Sequence, residues 1–296
     1  MKLSVVIPSY NEEESLPATI LKIEDALKAK GIEREIFVVD DNSSDNTVDV
    51  LEELKKKVPC LKYETNKGSN GFGYAVRYGL ERFNGDCVAV MMADLSDDPQ
   101  DLLRFYELMI EKDVDCVFGD RWGKEGKLID YPYNKKVINR IANAIIRVLM
   151  NIKYGDTTNA FKLYKKHTIE GLKPFLSPHF NLTIELPLKA IIRGYSYTIT
   201  HNSWTNRQFG ESKLKINEMG SRYFFVLMYC LIEKHFSKGD FKKKCLRAAA
   251  GSGSGGYVRS VSVNVYLIIC GILFTNFDAP PIQCAIWSHT ACSMIH

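Results

Sequence analysis

The residues best suited to chemistry lie in the segment MMADLSDDP, from Met91 to Pro99, where aspartates follow an apolar run. Asp94, Asp97 and Asp98 come at the end of a predicted buried strand. Carboxylates in this place could hold a hard divalent cation, because Mg²⁺ and similar ions prefer oxygen ligands. Such a cation could neutralise charge that develops on a diphosphate leaving group. The alternative for Asp97 and Asp98 is capping of a helix, since proline at position 99 is favoured in a first helical turn.

The elements that must position these acids alternate along the first half of the chain. Short apolar runs predict strands and amphipathic segments predict helices, in the order 3–8, 13–31, 35–41, 44–57, 61–66, 71–83 and 87–94. This alternation predicts an α/β fold, with a Rossmann-like, mostly parallel central sheet flanked by helices in a single domain. Ligands bind at the carboxyl ends of such strands, so Tyr10, Glu12, Asp41 and Asp94 are expected to meet in one crevice.

Composition narrows the class of protein. The 296 residues are 46% hydrophobic and 25% charged, which is typical of a globular protein. A formal charge of +4 is too small to indicate a nucleic-acid partner, so none is predicted. Eight scattered cysteines without a CxxC pair predict neither a zinc site nor a disulfide framework. The apolar start is too short for a signal peptide, which predicts a cytoplasmic protein.

Two apolar segments in the second half of the chain could pack in the protein core or contact a membrane. Residues 134–155 predict a helix whose apolar face is bordered by lysines and arginines, and this face could pack on the sheet or lie on a membrane surface. Residues 179–195 predict a helix and 196–204 a strand. The apolar part of 221–236 is about nine residues long, whereas a membrane span needs about 20, so it predicts a core helix or an interfacial anchor.

Three regions follow from these patterns. We predict a main domain over 1–215 and an amphipathic helical segment over 216–244 that could associate with a membrane. Residues 245–296 contain the linker-like sequence AAAGSGSGG (248–256) and carry little charge, so this tail is predicted not to belong to the fold. The alternative is that its apolar run over 263–274 is a marginal membrane segment.

Seven motifs occur in a fixed order: VVIPSYNEEESL, VVDDNSSDNT, NKGSNGFGYAVRYGL, MADLSDDP, GDRW, DTTNAFKLYKK and NRQFGESKL. Together they resemble the family 2 inverting glycosyltransferases over about residues 1–215. Their order and the last motif are most similar to the dolichol-phosphate mannose synthase branch, whose members place a sugar on a polyprenyl phosphate. The resemblance implies a GT-A-type fold and an enzyme that works on the cytoplasmic face of a membrane as a peripheral protein.

The resemblance also implies residues for the donor, a nucleotide sugar such as GDP-mannose or a UDP-hexose. The nucleotide-sugar residues are Pro8, Tyr10, Glu12, Val39, Asp41, Ala93 and Asp94. A Mg²⁺ or Mn²⁺ cofactor would be held by Asp94 and Asp97. The family usually has Asp-x-Asp here, but this chain has Met92 in the first position, and a thioether is a poor ligand for a hard cation. Metal affinity is therefore expected to be weakened.

The predicted acceptor is a polyprenyl phosphate in a membrane. A phosphate is ionised near neutral pH, with a second pKa of about 6, so it needs cations to hold it and no general base. Arg121, Arg207 and Lys213 are the predicted acceptor-phosphate residues, and Asp94, Arg121 and Arg207 are the predicted catalytic residues. Glu185 could contact the sugar or the acceptor, and Asn181 could alter the sugar contacts.

Three alternatives stay open. A related enzyme could glycosylate a hydroxyl of a polysaccharide or glycolipid, for which it would need a carboxylate base such as Glu185. An inactive relative could bind nucleotide sugar without turnover, as Met92 would permit. A nucleotidyltransferase would have a similar strand order but a Gly-rich basic loop after the first strand, where this chain has SYNEEE.

Overall fold

A computed structural model describes residues 1–123, 125–207 and 216–243. The first half of the chain alternates short buried strands with helices, as its sequence pattern predicts. These elements are β1 (Leu3–Ser9), α1 (Leu16–Ala29), β2 (Arg34–Asp40), α2 (Thr47–Lys57), β3 (Leu61–Thr65), α3 (Phe72–Arg82) and β4 (Cys87–Val90).

The second half adds shorter strands and the longest helices. These elements are α4 (Pro99–Glu111), β5 (Cys116–Asp120), β6 (Lys127–Ile129), α5 (Tyr133–Met150), β7 (Lys162–Lys165), α6 (Lys166–Gly171), α7 (Leu182–Ile192), β8 (Tyr197–His201), β9 (Ser203–Thr205) and α8 (Ile216–Phe236).

The described strands form a seven-stranded sheet in the order β3-β2-β1-β4-β7-β5-β8 and a separate pair, β6 with β9. Strands β1 to β4 are parallel, and β5 pairs in parallel with β8. Only β7 runs against its neighbours β4 and β5 among the described strands of the sheet. The prediction of a mostly parallel central sheet is therefore confirmed.

Helices cover both faces of this sheet. On one face Leu16 of α1, Leu51 of α2 and Phe105 of α4 are fully buried in one apolar cluster. On the other face a second cluster includes Val76 of α3 and Leu186 of α7. Both faces of the central strands β1, β2 and β4 are thereby removed from water, which explains why these strands are mostly apolar.

Some boundaries differ from the sequence prediction. β4 ends at Val90, so residues 91–94 form a loop beyond the strand. The segment 196–204 is divided into β8 and β9 at Asn202, and β9 leaves the main sheet to pair with β6. The antiparallel β7 was not predicted, because four residues of mixed polarity carry little periodic signal.

The apolar face of α5 does not pack on the sheet. Six of its apolar side chains are between 38% and 74% exposed, namely Val137, Ile138, Ile141, Ile145, Val148 and Leu149. The helix is instead anchored through the buried residues Asn143, Ile146 and Met150. Of the two interpretations offered by the sequence, packing on the sheet is therefore wrong.

Helix α8 is partly a core helix. Val226, Leu227, Cys230 and Leu231 are buried against α5 and α7 in a third apolar cluster. Its outer face exposes Phe224, Phe225, Ile232 and Phe236 by half or more. None of the helices in the described part of the chain is long and apolar enough to cross a membrane. The division at residue 215 stays a prediction, and the predicted tail 245–296 lies outside the described residues.

Candidate active site

A crevice of about 570 Å³ opens beyond the carboxyl ends of β1, β2 and β4. It is lined by Pro8, Tyr10, Glu12, Asp41 and Asp94, all of which are predicted nucleotide-sugar residues. These side chains meet because parallel strands bring their carboxyl ends to the same edge of a sheet. Tyr10 is 40% exposed, so its ring is accessible from the crevice.

Asp41 organises one wall of the crevice. Its Oδ2 accepts a 2.6 Å hydrogen bond from the Gly71 amide, and its Oδ1 accepts one from Asn66 Nδ2 at 3.0 Å. Gly71 has a φ of 144°, and a Cβ there would lie 2.9 Å from Nδ1 of His179. Any larger residue would therefore push the chain at 178–179 away, so Gly71 allows this loop to approach that segment closely at the crevice.

The loop after β4 places the predicted cation ligands. Asp94 Oδ1 accepts from the Ser96 amide at 3.1 Å, and Asp97 Oδ2 accepts from the Met92 amide at 3.0 Å. Burial, together with the nearby Asp94 carboxylate, raises the pKa of the Asp97 carboxyl to about 7. Asp98 accepts from the Gln100 amide and caps α4, so helix capping belongs to Asp98 and not to Asp97.

These residues fit a divalent cation that is shared with a diphosphate. Asp94, Asp97 and Ser96 all line the crevice, and the buried Ser96 Oγ has no hydrogen-bond partner among the described residues. Carboxylate and hydroxyl oxygens are suitable ligands for Mg²⁺ or Mn²⁺, whereas the Met92 thioether beside them is not. No group of three His, Cys, Asp or Glu side chains in the described ranges could hold a metal alone. The remaining ligands would have to come from the diphosphate.

Arg121 lines the crevice but is firmly paired. Its Nε and Nη2 donate to the two carboxylate oxygens of Asp156 at 2.9 and 2.8 Å. Burial raises the pKa of Asp156, but the Arg121 guanidinium outweighs this effect and holds the pKa below its usual value. Since the pair is buried and bidentate, Arg121 can offer only its remaining N–H groups to a phosphate. Its predicted acceptor role stays a prediction.

Arg207 reaches the donor side of the crevice. Its Nη2 lies 2.7 Å from Asp94 Oδ2 and 3.5 Å from Glu12 Oε1. The sequence predicted Arg207 as an acceptor-phosphate residue, and the structure places it on a predicted donor carboxylate. Lys213, the third predicted acceptor cation, lies outside the described residues.

Two other predicted donor residues do not line the crevice. Val39 is fully buried in the apolar cluster between the sheet and α3, so its side chain serves packing. Ala93 is 3% exposed, and its carbonyl accepts a hydrogen bond from Thr19 Oγ1 at 2.8 Å. The carbonyl of Ala93 is thus engaged with α1.

Glu185 and Asn181 are structural in this fold. Glu185 is fully buried; its oxygens accept from the amides of Leu176 at 2.8 Å and Ser177 at 2.7 Å and pair with Lys189 at 2.5 Å. Asn181 is 3% exposed and accepts from the His179 amide. The prediction that Glu185 contacts sugar or acceptor is therefore wrong, because its carboxylate is turned into the protein.

The sequence missed several residues that line the crevice. Lys135 comes from the first turn of α5 and Arg222 from α8, and both add positive charge opposite the carboxylates. Trp204 of β9 and Tyr131 pack edge to face with ring centres 4.8 Å apart and form an aromatic wall. The only available signal was the set of basic residues at the ends of these helices, which the sequence pattern assigned to helix surfaces.

Comparisons with known proteins agree with this architecture. The model of the family described as Glycosyl transferase family 2 matches residues 4–172. A dolichol-phosphate mannosyltransferase of Pyrococcus furiosus is 33% identical over 221 residues, which cover 73% of this chain and 60% of that protein. This chain therefore spans less than two thirds of the length of that relative. An undecaprenyl-phosphate mannosyltransferase of Micrococcus luteus is 29% identical over 220 residues, covering 72% and 88% of the two chains.

Solved structures show the same fold. The glucosyl-3-phosphoglycerate synthase of Mycobacterium tuberculosis, in complex with Mn²⁺, UDP-glucose and phosphoglyceric acid, superposes with a TM-score of 0.60. The match covers 78% of this chain and 79% of that one at 13% sequence identity. Another structure of the synthase, with Mn²⁺, UDP and glucosyl-3-phosphoglycerate, gives a TM-score of 0.59 at 15% identity, covering 79% of each chain. At this level of identity the likeness concerns the fold, and it confirms the predicted GT-A-type architecture.

Proposed function

Since this chain belongs to glycosyl transferase family 2, we propose that it transfers a hexose from a nucleotide sugar to a polyprenyl phosphate with inversion. Mannose is the proposed sugar, because the curated relatives are named as polyprenyl-phosphate mannosyltransferases. The donor would be GDP-mannose, with a UDP-hexose as the alternative.

One observation carries the proposal. A single crevice is lined by the carboxylates at the strand ends and by the cations Lys135, Arg207 and Arg222. Lys135 and Arg222 come from α5 and α8, the helices that also expose apolar faces. A binding site for an anionic head group therefore adjoins surfaces suited to lipid, which is what a membrane-bound phosphate acceptor requires.

The donor side would bind the nucleotide through Pro8, Tyr10, Glu12 and Asp41. Asp94 and Asp97 would hold a Mg²⁺ or Mn²⁺ ion together with the diphosphate. When bound, such an ion stabilises the negative charge of the departing nucleoside diphosphate. Because Met92 supplies no oxygen, the cation affinity of this chain should be lower than that of a site with two acidic residues.

The proposed reaction needs no general base. An oxygen of the acceptor phosphate is already anionic near neutral pH and attacks the anomeric carbon from the side opposite the leaving group. The new carbon–oxygen bond forms as the bond to the nucleoside diphosphate breaks, so the configuration is inverted. Arg207, with Lys135 and Arg222, would orient the phosphate by charge-assisted hydrogen bonds. The competing reaction on a hydroxyl loses its candidate base, because Glu185 is buried in an ion pair.

The proposed location is the cytoplasmic face of a membrane, with the protein attached peripherally. The exposed apolar face of α5 would enter the lipid interface, and Lys136, Arg140, Arg147 and Lys153 would meet anionic head groups.

The test is release of nucleoside diphosphate from GDP- and UDP-hexoses with farnesyl phosphate as the acceptor. Farnesol, which has the same chain without the phosphate, is the matched control. Release that depends on farnesyl phosphate and is absent with farnesol is expected. Release with farnesol equal to that with farnesyl phosphate would refute a phosphate acceptor, and no release with any donor would refute the transferase.

A further inference from the structure

Arg207 forms ion pairs with two carboxylates on the donor side of the crevice, although its charge also suits the acceptor phosphate. Its guanidinium lies 2.7 Å from Asp94 Oδ2 and 3.5 Å from Glu12 Oε1. The three side chains are only 17%, 8% and 11% exposed, so water screens the pair weakly. A residue whose charge and geometry suit a phosphate is thus bound to a carboxylate that suits a cation.

Both carboxylates are oriented toward this arginine by their own neighbours. Asp94 uses Oδ1 to accept from the Ser96 amide, which leaves Oδ2 directed to Arg207. Glu12 uses Oε2 to accept from Ser15 Oγ at 2.8 Å, which leaves Oε1 for Arg207. The guanidinium therefore takes the oxygen of Asp94 that a divalent cation would require.

The strand before Arg207 fixes where the side chain starts. The Thr205 amide donates to the Ser96 carbonyl at 3.0 Å, and the Asn206 amide donates to the Ile129 carbonyl at 3.0 Å. The first bond ties the end of β9 to the loop that carries Asp94, and the second ties it to β6. Arg207 follows directly, so its side chain starts beside Asp94 at the edge of the crevice.

Arg82 provides the contrast outside the crevice. It lies in the last turn of α3, where it pairs with Glu81 at 3.5 Å and is 42% exposed, whereas the side-chain hydrogen bonds of Asp94 are to Ser96 and Arg207. Removing the charge of Arg82 therefore leaves the partner of Asp94 in place.

We propose that Arg207 couples the binding of the divalent cation to the binding of the acceptor phosphate. The cation and the phosphate each take one of the two partners of a single ion pair, Asp94 and Arg207. A cation that binds Asp94 displaces the guanidinium, which then becomes available to the phosphate. A phosphate that draws Arg207 away leaves Asp94 for the cation. The acceptor half of this inference rests on the proposed function.

Linkage makes the coupling reciprocal. If the cation raises the affinity for the phosphate by some factor, the phosphate must raise the affinity for the cation by the same factor. Couplings of this kind are about 5- to 150-fold in proteins, and a single partly buried ion pair suggests about tenfold. The divalent cation, which binds with the donor diphosphate, and the acceptor phosphate would thereby bind cooperatively.

The experiment measures Mn²⁺ affinity of the full chain by electron paramagnetic resonance of the free ion. Wild type, Arg207→Gln and the matched control Arg82→Gln are each titrated in the presence of GDP, which supplies the diphosphate ligands, without and with saturating farnesyl phosphate. A protein-free titration corrects for Mn²⁺ bound by GDP and by farnesyl phosphate themselves. Circular dichroism of each variant establishes that it is folded.

Without farnesyl phosphate, Arg207→Gln should bind Mn²⁺ about tenfold more tightly than wild type, and Arg82→Gln should differ from wild type by less than about twofold. Farnesyl phosphate should raise the Mn²⁺ affinity of wild type and of Arg82→Gln about tenfold and leave that of Arg207→Gln unchanged.

Equal Mn²⁺ affinities of wild type and Arg207→Gln would overturn the inference. So would absence of a farnesyl phosphate effect in wild type, or an equal effect in Arg207→Gln. The first arm uses Mn²⁺ with GDP and no acceptor, so it separates a failure of this inference from a failure of the proposed transfer reaction.

Discussion

Replacement of Glu185 by alanine tests whether this carboxylate is structural or catalytic. Glu185 and Lys189 are one turn apart on α7, and both side chains are completely buried. The carboxylate also accepts from the amides of Leu176 and Ser177, and Lys189 donates to the Pro174 carbonyl. Glu185→Ala would leave a buried ammonium without its counter-charge and two amides without their acceptor.

The cost can be estimated from these contacts. Removing one partner of a buried ion pair costs about 3–5 kcal/mol. An amide that loses its partner costs about 1–3 kcal/mol more, although such contributions overlap when they share one carboxylate. We therefore expect the free energy of unfolding to fall by about 4–6 kcal/mol, a large part of the 5–15 kcal/mol that is typical of folded proteins. Urea unfolding followed by tryptophan fluorescence measures this change.

A second variant and a control sharpen the test. Lys189→Met should cost clearly less than Glu185→Ala, because Glu185 keeps its two amide donors. Glu53→Ala removes an exposed glutamate from an ion pair three residues apart on α2 and should leave stability unchanged. A Glu185→Ala protein of normal stability that has lost transferase activity would refute the structural role and restore Glu185 as a catalytic candidate.

Three further predictions follow from other contacts. In α5, Ile141→Glu and Val148→Glu should each lower binding to phosphatidylserine vesicles about tenfold, since burying one such side chain is worth about 1.5–3 kcal/mol. Vesicle sedimentation measures the binding, and Ile110→Glu on α4 is the control because Ile110 is about as exposed as Ile141. An equal loss of binding in Ile110→Glu would contradict a docking role for α5. Burial lowers the pKa of the Lys162 ammonium from 10.5 to about 7, so the unfolded state binds more protons between these values and stability should rise with pH by about 1.4 kcal/mol per unit. Lys162→Met should lack this part of the rise when unfolding is measured at pH 7.5, 8.25 and 9, and parallel curves would contradict the lowered pKa. Arg193→Lys should destabilise the protein by about 2–3 kcal/mol in urea unfolding, because lysine cannot replace both the bidentate pairing with Glu233 and the bond to the Gly171 carbonyl. An unchanged free energy of unfolding would show that the pair is not needed to hold α8.

The donor side of the crevice could be predicted because it depends on local order. Tyr10, Glu12, Asp41 and Asp94 each lie within four residues of the carboxyl end of a strand, and parallel strands place such residues at one edge. The sequence did not reveal that the side chain of Val39 faces α3, and its predicted contact with the nucleotide sugar stays a prediction.

The acceptor side was harder because its cations come from distant elements. Lys135 and Arg222 lie on helices that the sequence divided between a main domain and a later segment. An amphipathic pattern shows that a helix has an apolar face but not what covers it, so only the structure distinguished the exposed face of α5 from the half-buried face of α8.

The sequence by itself determined the class of fold, the family and the carboxylates at the strand ends, because these follow from periodicity and from motifs in a fixed order. Only the tertiary structure decided the partners of the charged residues. Glu185 was found inside a buried ion pair, Arg121 on Asp156 and Arg207 on Asp94. These pairings join residues up to 113 positions apart, and a charge reveals its partner only when the chain has brought the two together.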